Sequence, residues 1–203
     1  MSAAVLVIGI SGCTGTDLGG AAQSTAPGLP IPSGALATTK PTTSTTAPTA
    51  QATDYRGLLL SAGDLSDADD NFNERSRNSD PNNTPGASAF FVNDQDNRAI
   101  SDTFLVYPDA ATATAALRQA TGTLPTLVTG GAPTPIAVGT DGVMISGTYP
   151  DQDKSVTLML FTEGRALVRL EFQSAPGDVT TDQFVTNIGK MQEIALRVGL
   201  ADS

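Results

Sequence analysis

Between residues 143 and 172 apolar and polar side chains alternate with a period of two, the mark of strands. Residues 143–149 read as a first strand, and Pro150-Asp151-Gln152-Asp153 turns the chain. In the next strand Val156, Leu158 and Leu160 point one way, and Thr157, Met159 and Phe161 the other. Glu163-Gly164 is a two-residue turn of the hairpin kind. The returning strand places Ala166, Val168, Leu170 and Phe172 inward and Arg165, Leu167, Arg169 and Glu171 mostly outward. This predicts a three-stranded antiparallel meander. The period then changes. Phe184, Ile188, Met191, Ala195 and Val198 recur at three and four residues and predict one apolar stripe on a terminal helix. Thr180-Thr181-Asp182-Gln183 fits a capping box, and Gly199 stands where a C-terminal glycine belongs.

Upstream, Asp54-Tyr55-Arg56-Gly57-Leu58-Leu59-Leu60-Ser61 predicts a short helix or turn that feeds Leu58, Leu59 and Leu60 to the core. Residues 64–83 are polar and acidic and read as loop. Residues 87–92 and 99–107 read as two strands joined by the turn-forming Asn93-Asp94-Gln95-Asp96-Asn97. Asp109 is a good N-cap, and the Ala-rich run to Ala120 has high helix propensity. Antiparallel strands with two amphipathic helices predict an α+β domain, an antiparallel sheet with helices packed on one face in two layers, over residues 54–203. No repeat of 20 to 50 residues is visible.

The first 53 residues have a different character. Ala3-Ala4-Val5-Leu6-Val7-Ile8-Gly9-Ile10-Ser11-Gly12-Cys13 is an apolar stretch, then Ile-Ser-Gly, then the chain's single cysteine. It resembles the lipobox of bacterial lipoproteins. That resemblance implies a signal peptide over residues 1–12, cleavage before Cys13, and acyl chains on the Cys13 thiol that anchor the chain to a membrane. A buried strand is the competing reading, since eight apolar or small residues fall well short of the roughly 20 a spanning helix needs. Signal peptides begin with Lys or Arg, and no basic residue precedes Cys13, so an upstream in-frame start that adds one is expected. Residues 13–53 carry the lipidated Cys and a linker rich in Thr, Pro and Ala, expected to be disordered because it buries too little apolar surface to offset chain entropy. Both an O-glycosylated stalk and a plain spacer fit that composition.

Composition narrows the chemistry. The chain has 203 residues, no His, no Trp, one Cys and a net charge of −10. Its 11 basic residues form no stripe, so a nucleic-acid backbone would be repelled. Acidity also disfavours docking on anionic headgroups, which leaves membrane contact to acyl chains on Cys13. Without imidazole, Ser-His-Asp and Cys-His systems lack their base, and a zinc site lacks its usual ligands. No cofactor is expected.

A lipobox, a Thr/Pro/Ala stalk and a small α+β domain together resemble the small mycobacterial envelope lipoproteins. Phe161-Thr162-Glu163-Gly164-Arg165-Ala166-Leu167-Val168-Arg169-Leu170, running on to the terminal helix, resembles the extracellular sensor domain of a mycobacterial Ser/Thr kinase. That domain carries disulfides and this chain lacks the cysteines, so no functional residue is carried over.

The densest oxygen-ligand cluster is Asp64, Asp67, Asp69, Asp70, Asn71, Asn73, Glu74 and Asp80. Asp67, Asp69 and Asn71 match three positions of a calcium-binding loop, but Phe72 replaces its glycine and Asn78 its bidentate Glu. A solvated loop is the better reading, and no metal ligand is assigned. Asp94-Gln95-Asp96-Asn97 reads as a hairpin tip. Gly130-Gly131 before Pro133 makes a loop rather than a phosphate cradle. Arg165 and Arg169 share a strand face that either meets an anion or is simply solvated. No catalytic residue is assigned and the ligand-binding residues are unknown. The expected function is a lipid-anchored, exported, non-enzymatic binding or sensor-like domain for an envelope small molecule or envelope protein. The alternatives are an envelope glycan hydrolase using paired carboxylates, and a structural surface antigen. A binder needs an apolar pocket between sheet and helix, whereas a glycosidase needs two carboxylates facing across a groove.

Overall fold

Among the described residues, seven antiparallel strands form one sheet in the order β1-β2-β3-β7-β6-β5-β4. The computed structural model describes residues 53–201. The signal peptide, Cys13 and all but the last residue of the linker expected from the sequence lie outside the described residues. The strands are β1 (Phe72–Ser79), β2 (Gly86–Asn93), β3 (Ala99–Val106), β4 (Thr134–Pro135), β5 (Thr140–Thr148), β6 (Ser155–Glu163) and β7 (Ala166–Ser174). The helices are α1 (Ala62–Leu65), α2 (Ala110–Leu127) and α3 (Asp182–Ala201). A 3-10 turn, Arg56–Leu58, precedes α1.

The predicted meander is present as β5–β6–β7, and the hairpin of residues 87–107 as β2–β3. The β6–β7 register pairs Glu163 with Ala166, so the turn residues are Gly164 and Arg165, one step beyond the expected pair. Gly164 sits at φ +53°, a left-handed conformation that glycine adopts without penalty.

The class is α+β with an antiparallel sheet. The layering differs from expectation, because the long helices lie on opposite faces. Val185, Ile188 and Leu196 of α3 share one core with Met159, Phe161, Val168 and Leu170. Leu117 and Leu124 of α2 share another with Val156, Leu158, Leu160 and Leu167. Strand β6 explains this, since it is apolar on both faces and both must be covered. The expected outward face of β7 is therefore partly enclosed. Glu171 is only 12% exposed; it accepts from Tyr149 Oη, Arg169 Nη2 (2.5 Å) and Gln173 Nε2 (2.7 Å). Burial and the adjacent Glu171 charge raise the Tyr149 phenol well above its ordinary value.

Residues 64–83, expected to be a loop, contain the last two residues of α1, then β1 and a turn. Strand β1 buries only Phe72 among its apolar side chains, so it carries no hydrophobic alternation. It is a sheet edge, where charged side chains discourage pairing with a second chain.

Helix α2 starts as expected, with Asp109 Oδ1 accepting the Thr112 amide at 2.7 Å. It runs seven residues past Ala120, to Leu127. In α3 the buried line is Val185, Ile188, Gly189, Gln192 and Leu196. Val198, placed on the stripe by its spacing, is 63% exposed. Thr181 rather than Thr180 caps the helix, its Oγ1 accepting the Phe184 amide at 3.4 Å. Gly199 lies inside the helix, against Leu58, where a Cβ would come within 2.1 Å of Leu58 Cδ2.

Candidate functional site

A cleft of about 210 Å³ opens where the loop before β1 meets the start of α3. Its floor is Phe72, Ile100, Phe172 and Phe184. The first three are buried core residues, and Phe184 stands edge-on to Phe172, with centroids 6.1 Å apart at 79°. Asp67, Asp69 and Asp70 from the loop, Thr180 and Thr181 from the approach to α3, and Arg98 supply polar groups to its lining.

The loop is held by its own side chains. Asp67 Oδ1 accepts the amides of Asp69 and Asp70, both at 2.9 Å. These bonds hold the Asp67 carboxyl below its usual range. Asn93, 1% exposed, is the hub of the neighbouring turn. Its Oδ1 accepts the amides of Asn97 and Arg98 at 3.0 Å, and its Nδ2 donates to Asp70 Oδ1 at 2.7 Å. Arg98 is shared between two carboxylates: Nε lies 3.3 Å from Asp70, and Nη2 donates to both oxygens of Asp178 at 2.7 and 2.8 Å.

Three of the eight residues of the oxygen-rich cluster therefore line the cleft, and five do not. Asp64 Oδ2 accepts from the Ser61 amide and hydroxyl at the start of α1. Asn71 and Asn73 both donate to Asp94, which lowers its pKa. Glu74 pairs with Arg77 at 2.7 Å. Asp80 occupies a left-handed turn position. Among the described residues no three carboxylates converge to hold a metal. Arg169 pairs with Glu171, while Arg165 lines a separate open depression between the β6–β7 turn and the end of α3.

A second polar group was not anticipated. Asp102 on β3 is fully buried in the α3-side core, on the same strand face as Ile100 and Phe104. Its Oδ2 accepts the Leu60 amide at 3.2 Å, and its Oδ1 has no hydrogen-bond partner. Loss of hydration on burial raises its pKa to about 7, against the opposing pull of the Leu60 amide and the Arg77 charge. The signal was legible in the alternation: Ile100, Asp102, Phe104 and Val106 share one parity, and one of the four is charged.

No protein-family model matches this sequence, and no curated protein matches it. A solved structure that resembles it is the extracellular domain of PknH from Mycobacterium tuberculosis. Identity is 8% and the TM-score 0.49, over 71% of this chain and 98% of that one. A likeness at that level assigns no role to any residue of this chain.

Proposed function

We propose that the domain is a non-enzymatic binding module of the cell envelope, tethered to the membrane by acyl chains on Cys13, that accepts the apolar end of a small envelope molecule in the cleft beside α3. The observation that carries the reading is the cleft's layout. Its lining includes aromatic and aliphatic side chains, and its three carboxylates lie within four residues on a single loop. Glycoside hydrolysis asks for two carboxyl groups facing each other across the bond to be cut. Here Asp70 and Asp178 instead bracket the Arg98 guanidinium, which occupies the space between them. The volume is below the roughly 300–1,000 Å³ of drug-sized ligand pockets, so it suits one ring or the end of an alkyl chain rather than a whole lipid.

Two experiments test the two halves of the reading. Titration with short-chain amphiphiles bearing cationic, neutral or anionic heads should shift the amides of Ile100, Thr181 and Phe184, and Phe184→Ala should abolish the response. No shift with any head group would remove the binding reading. Separately, Cys13→Ala should move the protein from the membrane fraction to the soluble one. Identical fractionation of variant and parent would remove the anchor.

A further inference from the structure

The segment Arg56–Leu60 crosses the α3 side of the sheet as a strap, and its backbone is held by side chains from three elements. Arg77 of β1 donates through Nη1 to Arg56 O at 2.8 Å and through Nη2 to Leu60 O at 2.7 Å. Asp102 of β3 accepts the Leu60 amide at 3.2 Å. Gln192 of α3, fully buried, donates to Leu58 O at 3.0 Å. The register explains the shared grip: Arg77 pairs with Ala89, and Ala89 with Asp102. The small Ala89 between them leaves both longer side chains room to meet above it.

We propose that Asp102 is a proton-operated latch on this strap: neutral, it lies sealed beneath Tyr55, Leu59 and Leu60; ionised, it drives the strap to open and admit water. An ionised carboxylate in that core has one donor for two oxygens, and the uncompensated oxygen costs several-fold more than a neutral one. The sheet beneath Asp102 resists movement because β2, β3 and β7 are paired along their length. The strap has only a three-residue turn of its own, so it is the part that yields.

The charged and titratable groups facing Asp102 do not replace it as the switch. Of the two arginines on β1, Arg77, with Glu74 on it, is the one that acts on Asp102, and Arg75 acts on Asp94. Arg56 on the strap is exposed and paired with Asp54, and Tyr55 is buried against Phe104. From α1, Asp64 caps its own helix and is ionised far below neutrality. Gln192 from α3 is neutral, and the register neighbours Ala89 and Leu170 are apolar. The chain has no His, so no imidazole titrates in the same range.

The test uses the full chain. Carboxyl-carbon NMR of Asp102 should give a midpoint near neutrality, where an ordinary Asp titrates near about 3.9. Amide hydrogen-exchange protection at Leu58, Leu59 and Leu60, corrected for intrinsic rates, should fall by up to about tenfold per pH unit between about pH 4 and that midpoint, and level off above it. At every pH, protection in β6 and β7 should stay above that of the strap, because the strap opens without them. Asp102→Asn should keep the strap protected at every pH. A midpoint near that of a free Asp, or strap protection independent of pH in the parent chain, would overturn the latch. Both measurements on the parent chain decide the matter even if the Asn variant does not fold.

Discussion

Arg77 and Asp102 hold opposite ends of one residue: the guanidinium takes the Leu60 carbonyl at 2.7 Å, and the carboxyl takes the Leu60 amide at 3.2 Å. The two grips come from strands separated by β2, so the segment ahead of α1 is tied to the sheet at two strands by a single residue. Burial of Asp102 makes that tie depend on pH.

Global stability should therefore fall as pH rises from about 4 to about 7. The folded pKa of Asp102, about 7, lies above the unfolded value, so the native state holds the proton more tightly. Its contribution is complete below the unfolded pKa and is lost as pH rises through the folded one. The slope is about 1.4 kcal/mol per unit, and the total on the order of a few kcal/mol. Asp67 and Asp94 have lowered pKa values and act in the opposite sense, on acidification below about 4. Urea melts at pH 5 and pH 8 should show the difference, and Asp102→Asn should flatten it.

Ile188→Ala should cost about 2–5 kcal/mol, as buried large-to-small changes do. Val198→Ala should stay within about 0.5 kcal/mol, because Val198 faces water despite its place in the apolar spacing. Equal losses in a denaturant melt would mean that α3 is rotated from the orientation described.

Glu171→Ala should destabilise by about 1–3 kcal/mol by leaving the partly buried Tyr149 hydroxyl and Arg169 without their shared acceptor. Arg118→Ala, on the exposed side of α2, is the control and should stay within about 0.5 kcal/mol. Tyr149→Phe should recover part of the loss when combined with Glu171→Ala, because the orphaned hydroxyl is then gone.

Gly199→Ala opposes two effects. Helix propensity favours Ala by up to about 1 kcal/mol. Its Cβ would collide with Leu58, and overpacking of that kind costs about 1–3 kcal/mol. The net should be destabilising in the parent and reversed in a Leu58→Ala background. A thermal melt of the four proteins in that cycle checks it, and additive effects would show that Leu58 and Gly199 do not touch.

The strands β2, β3, β5, β6 and β7, the N-cap of α2 and the existence of α3 were legible because each is written in local terms: alternation, turn residues, a capping Asp. Strand β1 was illegible because an edge strand needs no apolar alternation, and Phe-Asn-Glu-Arg-Ser-Arg-Asn-Ser has none. The stripe on α3 was legible only to within one position, since its centre is filled by Gly189 and Gln192, which no hydrophobic pattern marks.

Sequence alone determined the α+β class, the antiparallel meander and the absence of imidazole chemistry, because periods, turns and composition are properties of the chain. Tertiary structure decided which face each helix covers, which carboxylates share a cleft, and that Asp102 is buried. Those depend on strand order: β7 inserts between β3 and β6, which brings Arg98, Phe172 and Phe184 to one cleft from positions up to 86 residues apart (184 − 98). The same insertion gives β3 a partner on its second side and keeps it off the sheet edge, under the strap, where a carboxyl loses its water. No local pattern encodes which strand becomes interior.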